Sequence, residues 1–427
     1  MAIADIVTAE DAYKSGKPQT SGTVGHLDVS QEKALKDLWA KILQHFETTK
    51  DAPIKVDRSL VQQSSSPTAA GIAGSDAAAV ESWYSENKDK ATDAKTRTVG
   101  DKLYLGGKHE ATVPDFKPLF GDKSNSRTFY NAFWQATLRF HSPDTHLLWF
   151  LLGNYWDVDK AFDNIVAAVR RRVGQEIDRL MWEGDHILHQ GVVAKGLTVQ
   201  SPGIDRLGHP IFVISVRNNV QRERSNEDAE VFTAYALEQT ALVARAYGER
   251  ATLIYDFTGF KLENVDMGFS KLVMTTTTEL YPGSISATLF YANSWLFSGI
   301  WKVLRGWMDP IIAKRTAVVK DSKALATFIE RSEMPSSLGG DLDDTFKYKP
   351  PSREENAKMF DEQGRKTAEG AYAQSIQAFV KATTAWIDGS GATVHDAEER
   401  ATATAAFDTA ATELDPYVRA RFSQERA

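Results

Sequence analysis

The chain has 427 residues, no cysteine and a formal net charge of −7. The lack of cysteine removes disulfides, thiolate metal sites and thiol nucleophiles, and suits a reducing compartment. The acidic balance argues against general nucleic-acid binding, which needs a basic surface, while 42% hydrophobic residues suffice for a globular core.

Residues 1–26 are polar and read as a flexible N-terminus, without the basic start and apolar run of a secretory signal. A helix follows over 27–47. Asp28 and Gln31 have capping-box spacing, and Leu35, Leu38, Trp39, Ile42 and Phe46 recur at helical period. Residues 48–126, with SSSPTAAGIAG near the centre, hold too little apolar material to pack and read as a largely disordered insert. Periodicity returns at Arg127, with Phe129, Phe133, Trp134, Leu138 and Phe140 on one face. Ser142-Pro143-Asp144 opens a second helix, and a third is expected from Asp157 to Met181. Arg170, Arg171 and Arg172 on it read as a solvated face.

Beyond residue 185 strands alternate with helices. Strands are predicted at Pro210–Val216, Ala251–Phe257, Ala287–Ala292 and Thr316–Lys320, and helices at Glu227–Tyr247, Met267–Leu280 and Trp295–Leu304. That order implies an α/β layer with mainly parallel pairing. From Arg353 the chain is again helical, with Met359, Tyr372, Ile376, Phe379 and Trp386 in register. The greasiest run, Ala287 to Trp301, is shorter than the ~20 residues that span a bilayer.

No catalytic signature stands out, so the chain is not expected to be an enzyme. There is no phosphate-cradling Gly-x-x-x-x-Gly-Lys loop and no Gly-x-Ser-x-Gly elbow. His186 and His189 lack a carboxylate motif for a metal site. What does stand out lies between Ala251 and Leu342. A strand ends at Asp256 and is followed by Gly259; Tyr281-Pro282 makes a turn; an aromatic run from Trp295 leads to Asp309-Pro310; Gly339-Gly340 closes the region.

This order of motifs resembles the CRAL-TRIO family, in particular its fungal Sec-fourteen-like phosphatidylinositol transfer proteins. Leu147–Leu151 with Asp157–Ala161, and Gly208-His209-Pro210-Ile211, extend the likeness over roughly 130–345. The resemblance implies a helical CRAL-TRIO N-terminal domain at 127–184. A lipid-binding domain follows at 185–345, in which a mixed, mainly parallel sheet lines a hydrophobic pocket gated by helices. A helical C-terminal extension occupies 346–427. It further implies a pocket and gate formed by Trp295, Phe297, Ile300, Trp301, Leu304, Trp307, Met308, Ile311 and Ile312, over a floor of Leu253 and Tyr255. Asp256, Gly259, Pro282, Asp309, Pro310, Gly339 and Gly340 take structural places.

The headgroup elements depart from the family. The glutamate that follows the Tyr-Pro turn in phosphatidylinositol carriers is Gly283 here, and the arginines of the helical domain are Leu152 and Asn154. The lysine after Asp-Pro becomes Arg315, with Lys314 beside it. Arg315, Lys314 and Asn154 are therefore the candidate headgroup residues. The ligand implied is a phospholipid, phosphatidylinositol first, exchanged or presented at membranes such as the endoplasmic reticulum by a cytoplasmic, monomeric protein with no cofactor. The alternatives are another apolar ligand, haem or sterol-like, and a lipid-sensing scaffold that binds partners through the insert or the tail. For haem, Tyr255-Asp256-Phe257 keeps one phenol of the pair that some fungal members use.

Overall fold

The computed structural model describes residues 8–16, 22–49, 52–54, 112–121, 127–188, 195–221, 225–389 and 394–426. Most of the 48–126 insert, and His189, lie outside these residues.

A helical body forms first along the chain. It contains α2 (Val29–Thr49), α3 (Phe129–Thr137), α4 (Pro143–Gly153), α5 (Val158–Gly174) and α6 (Ile177–Glu183), where α1 denotes the earlier helix Ala9–Ser15. A two-residue ribbon, β1 (Pro53–Ile54) with β2 (Arg127–Thr128), ties the two ends of the insert together. The start signals act as read: Asp28 and Gln31 exchange reciprocal hydrogen bonds of 3.0 and 2.8 Å, and Ser142 caps α4 with Pro143 in its first turn. Such caps contribute about 1 kcal/mol each. The third helix is two helices, because Gln175-Glu176 breaks it and Glu176 takes φ 52°.

The sheet has five strands in the order β3-β4-β5-β6-β7: β3 (Thr198–Ile204), β4 (Pro210–Ser215), β5 (Ala251–Asp256), β6 (Ile285–Tyr291) and β7 (Thr316–Val319). β3 pairs antiparallel with β4, and the other pairs are parallel. The crossovers are α7 (Asn226–Arg245), α8 (Met267–Leu280), and α9 (Trp295–Trp307) with α10 (Pro310–Lys314). β3 escapes the sequence reading because TVQSPGI lacks the apolar run of a buried strand. Two long helices close the chain, α11 (Glu362–Ile387) and α12 (Val394–Val418).

Two expectations change. The N-terminus is not loose throughout, because α1 docks on the back of the sheet. Tyr13 is buried there and donates to Asp205 at 2.5 Å. The C-terminal extension is helical as expected, and its helices pack into the body's core. Phe379 and Phe407 pack with Trp39 and Trp134, Tyr372 donates to the Trp134 carbonyl at 2.8 Å, and Arg400 grips Asp144 through two 2.6 Å bonds. The Arg170–Arg172 run is not simply solvated either. Arg172 is buried against Asp178 and Glu238, and Arg171 bridges to Glu279 and Thr276 on α8.

Candidate functional site

Strand alternation sends Thr252 and Ile254 to the back of β5 and Leu253 and Tyr255 to the front. At the front, α8, α9 and α10 cover the sheet without filling the space. They leave a cavity whose open space, counting its solvent-filled mouth, is about 1320 Å³.

The wall from α8 is one helical face: Phe269, Ser270, Val273, Met274, Thr277 and Thr278. Its hydroxyls are occupied within the helix. Ser270 donates to the Asp266 carbonyl, Thr277 to Val273 and Thr278 to Met274, at 2.8–2.9 Å. The face is therefore far less polar than its sequence, which is why hydrophobic pattern alone does not find it. β6 adds Ile285, Thr288 and Phe290, and the opposite wall is Ile300, Leu304, Met308, Ile311 and Ile312.

The expected residues divide. Leu253, Tyr255, Ile300, Leu304, Met308, Ile311, Ile312 and Arg315 line the cavity, as do Pro282 and Asp309. Phe297 and Trp301 lie off its wall and pack on Phe290, at 5.8 and 5.3 Å between ring centroids. Trp307 is half-buried off the wall, and Trp295 is 81% exposed. The amphipathic geometry of α9 explains the split, since a helix turns only one stripe inward. Trp295, Ser298, Lys302 and Arg305 share its outer side.

Among the headgroup candidates only Arg315 reaches the cavity. Asn154 ends α4, donates to the Phe150 carbonyl at 2.9 Å and accepts from Asn164 at 2.7 Å. Lys314 is half-buried off the lining. Arg315 is 7% exposed and donates to the Ile285 carbonyl at 3.1 Å, with no carboxylate in ion-pair range among the described residues. Burial, then the neighbouring Arg250, push its guanidinium down to about 9. At Gly283 no side chain fits, because a Cβ would lie 2.6 Å from Trp149; Gly153 meets Pro282 equally closely. The Tyr281-Pro282-Gly283 turn is thus clamped on α4.

The remaining expected positions hold backbone. Asp256 accepts from the Thr258 amide at 2.8 Å ahead of Gly259, whose φ is 67°. Asp309 caps α10, accepting from Ile311 at 2.8 Å, with Pro310 opening the helix. Gly339 takes φ 89°, and a Cβ on Gly340 would strike the Met334 carbonyl. One contact has no sequence signal. The Tyr155 hydroxyl donates to the Asp309 carboxylate, at 3.0 and 3.2 Å from its two oxygens, joining the helical body to the hinge between α9 and α10. Tyr155 and Trp156 both hold positive φ, 56° and 67°.

Residues 195–340 match the family model described as CRAL/TRIO domain. The chain carries a CRAL/TRIO domain, and the cavity lies chiefly within it. Among characterised proteins it is 25% identical over 426 residues to "Phosphatidylinositol transfer protein CSR1" of Eremothecium gossypii, covering 94% of this chain and 96% of that protein. It is 23% identical to "CRAL-TRIO domain-containing protein C3H8.02" of Schizosaccharomyces pombe over 299 residues, 69% of this chain and 67% of that one. The crystal structure of Sfh5 aligns with 49% of this chain and 77% of its own at 12% identity, with a TM-score of 0.40.

Proposed function

We propose that this chain takes a phospholipid into the cavity and exchanges or presents it at membrane surfaces, with phosphatidylinositol the first headgroup to test. The observation that carries the reading is an apolar cavity lined by one buried guanidinium with no carboxylate in ion-pair range among the described residues. Moving a lipid through water costs about 0.8 kcal/mol per CH₂, and an apolar cavity offsets that cost. A phosphate would complete Arg315 through charge-assisted hydrogen bonds. The likeness to a phosphatidylinositol transfer protein over nearly the whole chain supports the same ligand class.

In this reading α9 and α10 form the gate. Phe297, Ile300, Val303 and Leu304 hold it inward, while Trp295 stands outward beside Lys302 and Arg305. Tryptophan favours the membrane interface and cations favour anionic lipid. Among the described residues no helix is long and apolar enough to cross a membrane, so the contact proposed is a surface one.

The test is native mass spectrometry of the protein purified from a eukaryotic host, followed by lipid extraction. A stoichiometric phosphatidylinositol adduct is expected. A different phospholipid would replace the headgroup and keep the mechanism, and a cavity that no phospholipid fills would overturn it.

A further inference from the structure

Tyr255 occupies the middle of the sheet, paired in register with Ile214 of β4 and Phe290 of β6. Its ring stacks on Phe290, with centroids 5.1 Å apart and planes 12° from parallel. Tyr13 and Tyr281, which are also buried, both donate to carboxylates. The Tyr255 hydroxyl has no hydrogen-bond partner among the described residues. The part of the residue left uncovered by protein faces the cavity, and burial pushes its phenol up to about 12. A hydroxyl held in apolar surroundings without an acceptor is unfavourable, and a ligand oxygen placed there removes the penalty.

The surroundings narrow which oxygen that is. Arg315 precedes Thr316, which pairs with Thr288, so the backbones of Arg315 and Tyr255 stand three residues and two strands apart. That is about 14 Å, and both side chains turn into one cavity. Past Tyr255 the walls are Val216, Phe257, Val265 and Phe269. The polar groups at that end are engaged: the Asn264 amide donates to the carbonyls of Arg217 and Asn219, and Asp266 caps α8. A glycerophospholipid has an anion, then ester carbonyls a few bonds away, then chains that need no partner.

We propose that Tyr255 selects ester-linked lipids, its hydroxyl donating to an acyl carbonyl while Arg315 holds the phosphate. This rests on the phospholipid reading above and adds a specificity residue to it.

The test offers the delipidated full chain a mixture of diacyl phosphatidylinositol and its dialkyl ether analogue, matched in headgroup and chain length, in the same vesicles. Bound lipid is counted by mass spectrometry. The wild type should prefer the ester lipid by about tenfold. Tyr255→Phe removes one oxygen and keeps the stacked ring, and it should take both lipids equally. An ester preference that survives in Tyr255→Phe, or a wild type that takes up both lipids without preference, overturns the inference and leaves lipid binding standing. Uptake of neither lipid by the wild type sinks the phospholipid reading and this inference with it.

Discussion

Two regions of this molecule handle buried arginines in opposite ways. In the helical body Arg127, Arg139 and Arg172 interlock with Asp178 and Glu238, and Tyr281 donates into the same cluster. At the cavity Arg315 is as deeply buried, and among the described residues its guanidinium meets only a carbonyl. Burying a charge is costly unless it is paired. The body therefore carries a closed network that fixes helix against helix and clamps the Tyr-Pro turn. The cavity carries an open valence. A protein that needed only to be stable would have closed both.

The largest expected effect breaks the closed side. Glu238→Gln leaves Arg139 and Arg172 sharing less negative charge and should cost about 3–5 kcal/mol in denaturant unfolding. Burial alone would raise the Glu238 carboxyl, but the guanidiniums of Arg139 and Arg172 outweigh it and hold it below the usual range. Stability from such a depressed carboxyl is present above its unfolded value and is lost as pH falls through the folded one. Acid unfolding of the wild type should therefore carry a Glu238 contribution that Glu238→Gln lacks.

Opening the other side of the comparison should reverse the sign on stability. Arg315→Met removes an unpaired buried charge, so the ligand-free protein should melt at the same temperature or a few degrees higher. Its phospholipid affinity should fall about tenfold or more. Calorimetry of the delipidated protein beside a lipid-binding titration would check both, and a clear loss of stability would mean that Arg315 is structural.

Smaller effects belong to the gate. Trp295→Ala should slow lipid exchange between vesicles several-fold without altering the melting temperature, since Trp295 is 81% exposed. Tyr155→Phe removes the hydrogen bond to Asp309 that ties the gate hinge to the body. Exchange should quicken by roughly two- to tenfold, the range of one net hydrogen bond. A slower exchange would show that the contact helps the open state instead.

Legibility of the sequence followed how local each signal was. The α2 capping box and the Pro143 start of α4 are written within four residues, and each is found as read. The pocket's aliphatic side, Ile300, Leu304, Met308 and Ile311, was reached through the family resemblance and not through periodicity, since these residues span two helices. The opposite wall was not reached. Thr277 and Thr278 read as polar until their hydroxyls turn to their own helix. Nor could periodicity tell which tryptophan faces inward, since that depends on what α9 meets.

By itself the sequence determined the alternation of strands and helices, the parallel order that follows, and the cluster of motifs from Asp256 to Gly340. Those depend on side-chain period and backbone chemistry, which act over a few residues. Only the tertiary structure decided that the last two helices share a core with the first ones, and that Tyr155 reaches Asp309 across the chain. It alone left Arg315 without a carboxylate, and the Tyr255 hydroxyl without a hydrogen-bond partner, among the described residues around the same cavity. A missing partner is a property of everything packed around a residue, and no stretch of sequence contains it.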